Sequence, residues 1–94
     1  VKAGFLTKQG HKVKNWKRRW FVLRGHTLQY FRKPSDASPA GSINILDFNL
    51  EKATDSKTPL RLRMVAKLFE QEYVLEADSP RDFVDWVKAL EQTR

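Results

Sequence analysis

The sequence predicts a mainly β fold, in which a seven-stranded, curled antiparallel sheet or barrel is capped by one C-terminal α-helix. Most of the chain consists of short runs rich in aromatic and β-branched residues, separated by turns that contain Gly, Pro or Ser. Residues 79–94 instead carry the apolar repeat of an amphipathic helix. The core of a curled antiparallel sheet needs cover where the sheet does not close, and the helix is expected to supply that cover.

The first three predicted strands form an antiparallel meander. They cover residues 4–9, 16–24 and 27–33, which are rich in aromatic and β-branched side chains. A polar, Lys-rich loop over residues 10–15 joins the first two strands. A tight turn at Gly25 joins the second strand to the third.

Four shorter strands complete the predicted sheet. A loop with two Pro and two Ser residues follows the third strand. The remaining strands are predicted over residues 42–46, 50–54, 60–65 and 73–77.

The C-terminal helix has clear start signals. Ser79 is a favourable N-cap residue, Pro80 occupies the first helical position, and Asp82 places an acid three residues after the cap. One face of the helix is apolar, which predicts that it packs on the core. The residues of that face are Phe83, Trp86, Val87 and Leu90.

The length of 94 residues predicts a single domain over residues 1–94. The sequence starts at Val1 rather than Met, and we interpret it as a module excised from a longer protein. It contains no Cys, so disulfides and thiolate metal sites are excluded, and a reducing cytosol is compatible with it. No apolar run approaches the about 20 residues of a membrane span, and no signal-peptide pattern opens the chain.

The positive charge is concentrated in the first third of the chain. The net charge is +7, yet residues 1–33 hold ten basic residues and no acid. The other eight basic and eleven acidic residues give residues 34–94 a net charge of −3. This asymmetry predicts an anionic partner, which could be a lipid headgroup, a nucleic acid or an acidic peptide. A merely solvated basic face is the alternative.

Strand alternation indicates where these basic groups point. Lys17 and Arg19 share a face with the apolar residues at 21 and 23, and Lys8 shares a face with the leucine at 6. Tyr30 shares a face with the leucine at 28. We therefore expect these four side chains to converge at one open end, under a loop that carries Lys12 and Lys14. Such a cluster of cations would repel unless a multivalent anion lay between them, which favours a site for clustered phosphates.

Three stretches and one tryptophan resemble the pleckstrin homology (PH) domain family. The stretches are residues 4–10 (GFLTKQG), 16–23 (WKRRWFVL) and 28–31 (LQYF), and the tryptophan is Trp86 in the predicted helix. The resemblance covers nearly the whole chain and implies a phosphoinositide-binding adaptor module in signalling. Such a module would be cytoplasmic and recruited to membranes as a peripheral protein.

Within that family, one subset recognises 3-phosphorylated phosphoinositides. This chain resembles that subset in having a lysine at the end of the first strand, Lys8, and a basic residue two positions before an arginine in the second, Lys17 and Arg19. The resemblance implies that Lys8 and Arg19 contact the 3-phosphate and that Lys17 and Tyr30 help to bind neighbouring phosphates. It further implies headgroup contacts from the predicted loops. The residues concerned are Lys12 and Asn15, in the loop over residues 10–15, and Lys57, just before the strand that starts at residue 60. Lys14, whose place in the same loop puts it over the cluster, is a further candidate.

Two departures from that subset concern its selectivity. Ala40 stands where some high-affinity members carry an Arg, and the segment 69–73 is short where trisphosphate-selective members have a long hairpin. Whether the chain prefers the 3,4,5-trisphosphate or the 3,4-bisphosphate stays open. Val13, in the Lys-rich loop, is a candidate for contact with the lipid interface, with simple solvent exposure as the equal alternative.

Other functions have less support. A PH-type fold that binds a protein or phosphatidylserine with little phosphoinositide selectivity is the main alternative. Nucleic-acid binding is disfavoured because the aromatic residues have core positions rather than an exposed stacking arrangement. The two His residues lack an evident carboxylate partner, and no metal-ligand spacing or Gly-rich phosphate loop is present. We therefore expect neither catalysis nor a cofactor or metal.

Overall fold

A computed structural model describes residues 1–9, 15–52 and 60–93. These residues form seven β-strands, one short 3-10 helix over Ile45–Asp47, and one α-helix. The strands are β1 Lys2–Gln9, β2 Trp16–Arg24, β3 Thr27–Phe31, β4 Gly41–Asn44, β5 Phe48–Lys52, β6 Arg61–Ala66 and β7 Glu72–Glu76, and the helix is α1 Pro80–Gln92. The predicted fold class is confirmed.

The seven strands form one antiparallel sheet in the order β4-β3-β2-β1-β7-β6-β5. Strand β1 lies at its centre and belongs to both halves of the sheet. All eight residues of β1 pair with β2, whereas only residues 7–9 pair with β7. The sheet therefore turns at β1 and curls around a single core.

The core is built from the inward faces of the strands and one face of α1. In β2, Phe21 and Leu23 are buried, which places odd-numbered residues of this strand on the inner side. From α1, Trp86, Val87 and Leu90 are buried, and Phe83 packs against them partly exposed. The helix covers the core as its apolar stripe predicts.

The helix begins where the sequence predicts. The Ser79 hydroxyl accepts a hydrogen bond from the Asp82 amide at 3.1 Å, and Pro80 occupies the first turn. The predicted turn between β2 and β3 also forms, and Gly25 has a φ of +56°, a conformation that a glycine adopts without strain.

Six of the seven predicted strands differ in their bounds from the observed strands. The first strand begins at Lys2 instead of residue 4, and the sixth and seventh are each displaced by one residue. The third strand ends at Phe31 instead of residue 33, because a turn follows in which the Asp36 amide donates to the Lys33 carbonyl. The fourth strand ends at Asn44, whose side chain accepts a hydrogen bond from the Leu46 amide and so starts the 3-10 helix. The fifth strand consequently begins at Phe48, and residues 53 and 54 lie outside the described residues.

Trp86→Ala should destabilise the domain by about 3–5 kcal/mol, because the indole is only 3% exposed and its removal would leave a cavity in the core. Urea denaturation followed by circular dichroism would measure the loss. Val84→Ala on the same helix is the control, since Val84 is 47% exposed and its truncation should change the free energy of unfolding by less than about 0.5 kcal/mol. An unchanged midpoint for Trp86→Ala would show that α1 does not close the core.

Candidate functional site

Three chain connections lie at one end of the sheet, which we call the open end. Gln9 pairs with Trp16, so the β1–β2 connection begins there. Gln9 also pairs with Val74, which brings the start of β7 and the β6–β7 turn to the same end. Strand β3 runs antiparallel to β2 towards this end, and the β3–β4 connection follows it.

The cations predicted to converge do so at the open end. Lys8 pairs with Lys17 across β1 and β2, and Arg19 pairs with Leu6. Directly paired residues project to the same side of a sheet, and Leu6 is buried, so this is the core side. The three cations therefore lie on the inner face near its open end, next to core residues: Arg19 is opposite Leu6, and Lys8 also pairs with the buried Leu75.

Two aromatic rings hold the Lys8 ammonium. Its Nζ lies 4.8 Å from the centroid of the Tyr30 ring and 5.6 Å from that of Tyr73. Each such contact is attractive because the face of an aromatic ring carries negative electrostatic potential. Tyr30 was predicted to reach this site. Tyr73 was not, although it shares strand parity with the buried Leu75 and could have been found by the same reasoning.

The positive charge of this cluster is incompletely compensated. Burial lowers the pKa of Lys8, and the charges of Arg19 and Lys17 lower it further. In the part of the chain that the structure describes, the ion pairs join Arg18, Arg61 and Arg63 to carboxylates, and none includes a cation of this cluster. An anion bound here would favour the charged form of Lys8 and relieve the repulsion.

A glycine allows Tyr30 its position. A methyl group at Gly41 would approach Cε1 of the Tyr30 ring to 2.8 Å, and Cζ and the phenol oxygen more closely still. The ring also packs on Phe21, with centroids 5.6 Å apart. Tyr30 is thus fixed between the core and the bare backbone of β4, with its ring close to the Lys8 ammonium.

Tyr73 keeps a neutral phenol at this site. Burial raises the pKa of Tyr73, and the neighbouring Tyr30 raises it further, while a hydrogen bond from Gln71 acts in the opposite direction. The Gln71 amide donates to the phenol oxygen at 2.6 Å. The Tyr73 hydroxyl can therefore still donate its own proton to an acceptor.

The other predicted site residues are placed less fully. Asn15 is exposed and immediately precedes β2, which puts its backbone at the open end. Four residues of the predicted loops lie outside the described residues. They are Lys12, Val13, Lys14 and Lys57.

The outer face of β2 is organised differently. Arg18 pairs with Asp78 at 2.6 Å, and its guanidinium lies 3.9 Å from the centroid of the Phe5 ring. Strand alternation in the sequence puts Arg18 and Arg24 on the face opposite Lys17 and Arg19 and predicts that both are solvated. Arg24 is exposed, whereas Arg18 has an ion-pair partner sixty residues away. Strand alternation also predicts Trp20 on this outer face in a local cluster, and its ring packs edge-on against Phe5 at 4.9 Å.

Two further observations bear on the kind of protein. Within residues 1–9, 15–52 and 60–93, no group of three or more His, Cys, Asp or Glu side chains could hold a metal ion. Among the same residues, no helix is long and apolar enough to cross a membrane.

Comparisons with known proteins agree on one family. The sequence model of the PH domain matches residues 1–94. The human connector enhancer of kinase suppressor of ras 1 is 36% identical over 75 residues, which is 80% of this chain and 10% of that protein. Mouse cytohesin-4 is 40% identical over 63 residues, which is 67% of this chain and 16% of that protein. The chain spans between 4% and 16% of the length of the curated relatives it matches.

A solved structure is similar over nearly the whole chain. It is the C-terminal PH domain of pleckstrin in complex with D-myo-Ins(1,2,3,4,5)P5, with a TM-score of 0.82 and 29% identity. The similarity covers 99% of this chain and 96% of that one.

Arg19→Gln should raise the pKa of Lys8 towards its ordinary value of 10.5, because removing a neighbouring cation favours the charged form. The Lys8 Cε resonance, followed by NMR through an alkaline titration, reports this pKa. Arg18→Gln is the matched control, since Arg18 lies on the outer face and pairs with Asp78. Equal shifts in both variants would contradict the proximity of Arg19 and Lys8.

Proposed function

Because the chain belongs to the PH domain family, we propose that its open end binds the headgroup of a phosphoinositide, with preference for 3-phosphorylated lipids. PH domains are non-catalytic modules that generally bind phosphoinositides or inositol phosphates. The observation that carries the proposal is the convergence of Lys8, Lys17 and Arg19 on one side of the sheet, without an ion-pair partner among the described residues.

The proposed contacts follow from the chemistry of these side chains. Charge-assisted hydrogen bonds from Lys8 and Arg19 would hold the 3-phosphate. Lys17 and Tyr30 would bind neighbouring phosphates, and the hydroxyl of Tyr73 would add one more donor. Further contacts are proposed from the connection between β1 and β2 and from the one between β5 and β6. These would come from Lys12, Lys14, Asn15 and Lys57.

The similar structure of the pleckstrin C-terminal domain supports a polyphosphorylated ligand, because that domain was solved with an inositol pentakisphosphate. The two sequences are 29% identical, and the similarity covers 99% of this chain, so the two domains are alike in sequence as well as in fold. We propose accordingly that residues 1–94 act as one module of a longer cytoplasmic protein and recruit it to membranes. The short share of each relative that the chain covers supports a role within a larger protein.

Arg19→Ala should weaken binding of a soluble inositol polyphosphate headgroup by at least about tenfold, because it removes charge-assisted hydrogen bonds to phosphate. Isothermal titration calorimetry measures the affinity, and a thermal melt confirms folding. Arg18→Ala is the matched control, since that side chain lies on the opposite face of the same strand. Equal losses from the two variants would exclude the inner face as the binding site.

Liposomes that each contain one phosphoinositide isomer test the preference. We expect binding to both the 3,4-bisphosphate and the 3,4,5-trisphosphate lipid, with affinities that differ by less than about tenfold, or about 1.4 kcal/mol. The 4,5-bisphosphate lipid should bind more weakly than either. Salt must be held at a physiological concentration, because low salt strengthens every exposed charge contact.

Two results would reject this preference. Tightest binding to the 4,5-bisphosphate lipid would exclude a site that selects the 3-phosphate. Binding of all isomers in proportion to their charge would reduce the open end to an electrostatic patch, in line with a PH-type module of little phosphoinositide selectivity.

A further inference from the structure

The β6–β7 turn presents two large apolar side chains to solvent beside the cations of the open end. Leu68 is 93% exposed and Phe69 is 50% exposed. The turn links Ala66 to Glu72, and β7 reaches its pairing with Gln9 only two residues later. The apolar pair therefore lies at the same end of the sheet as Lys8.

Leu68 and Phe69 lie in a turn whose backbone is held by hydrogen bonds. The Ala66 amide donates to the Gln71 carbonyl at 2.9 Å, and the Gln71 amide donates to the Phe69 carbonyl at 3.0 Å. The Lys67 amide donates to the Asp47 carbonyl at 2.9 Å, which ties the turn to the 3-10 helix. These hydrogen bonds hold the backbone of the turn in the conformation that leaves Leu68 exposed.

Phe69 anchors the turn from the inside. Its ring packs edge-on against the buried Phe48, with centroids 6.1 Å apart. The Phe69 side chain thus contacts the core through Phe48, while half of its surface stays exposed to solvent. Single exposed apolar residues are ordinary on protein surfaces, but two adjacent ones held outward at the edge of a binding site need a partner.

We propose that Leu68 and Phe69 enter the interfacial region of the lipid bilayer when the open end holds a lipid headgroup. This inference rests on the proposed function, because a headgroup bound at Lys8, Lys17 and Arg19 brings the membrane surface to this end. An apolar side chain there exchanges water for the boundary between headgroups and acyl chains.

Charge around the turn is compatible with that contact. Lys67 and Glu70 flank the apolar pair, are both exposed, and cancel in charge. The exposed Asp47, whose carbonyl accepts from the Lys67 amide, adds one negative charge beside the turn. The turn itself therefore supplies no attraction to an anionic surface, and the cations of the open end supply it. The long stem of Lys67 lets its ammonium stay at the headgroup level while Leu68 goes deeper.

A serine substitution separates membrane insertion from headgroup binding. Leu68→Ser should weaken binding to phosphatidylcholine vesicles that contain the 3,4,5-trisphosphate lipid by about five- to tenfold, because an apolar side chain no longer leaves water. Its affinity for soluble inositol 1,3,4,5-tetrakisphosphate should stay unchanged. Leu68→Trp should bind the vesicles more tightly than the wild type, since Trp favours the interface.

The matched control lies on the helix. Val84 is an apolar residue, 47% exposed on α1, and Val84→Ser should alter neither vesicle nor headgroup binding. If Leu68→Ser binds vesicles as the wild type does, or weakens soluble headgroup binding equally, the insertion proposal is wrong. If the wild type binds neither the vesicles nor the soluble headgroup, the proposed function fails, and insertion fails with it.

The absence of Cys from the chain permits a direct measurement of depth. Leu68→Cys labelled with an environment-sensitive fluorophore should shift to the blue on vesicles that contain the lipid, and should not respond to the soluble headgroup. Labelled Val84→Cys should respond to neither. A blue shift that grows with protein concentration in the absence of vesicles would identify a second copy of the chain as the partner and overturn the proposal.

Discussion

The antiparallel register of β1 against β2 is the constraint on which the rest of this structure depends. It pairs Lys8 with Lys17, Leu6 with Arg19 and Gly4 with Phe21. Since paired residues project to one side, the same register that buries Leu6 and Phe21 also brings the cations together. A slip of one residue would turn the core side chains outward and disperse the charged cluster. The register that a stable core requires therefore also keeps the cations together.

The two ends of this inner face have opposite consequences for stability. Burial of apolar side chains along most of it favours folding. At the open end, the charged Lys8 is partly buried beside other cations, which lowers its pKa and destabilises the unliganded domain near neutral pH. The rings of Tyr30 and Tyr73 offset part of that cost. Local destabilisation of this kind is typical of functional sites, where binding of the ligand supplies the missing interactions.

Local patterns in the sequence predicted most of the fold and the convergence of Lys8, Lys17, Arg19 and Tyr30. Alternation in β2 located Arg19 inside and Arg18 outside without knowledge of the tertiary structure. Contacts between residues far apart in the sequence could not be predicted from strand alternation. Tyr73 reaches Lys8 because β7 pairs with β1, and Arg18 meets Asp78 across sixty residues of chain. The exposure of Leu68 could not be predicted from the sequence either, because an apolar residue near the end of a strand is ordinarily expected to be buried.

The proposed preference among phosphate patterns requires that the cations of the open end be held in defined positions. A lysine is a flexible point charge and by itself discriminates poorly between isomers. Lys8, however, is held between two rings, and Tyr30 is fixed by Phe21 and by the bare backbone of Gly41. The Arg19 guanidinium is oriented by a hydrogen bond to the Arg18 carbonyl at 3.2 Å. Lys17, by contrast, is exposed. Selectivity should therefore arise at Lys8, Arg19 and Tyr30, while Lys17 contributes attraction that depends little on the phosphate pattern.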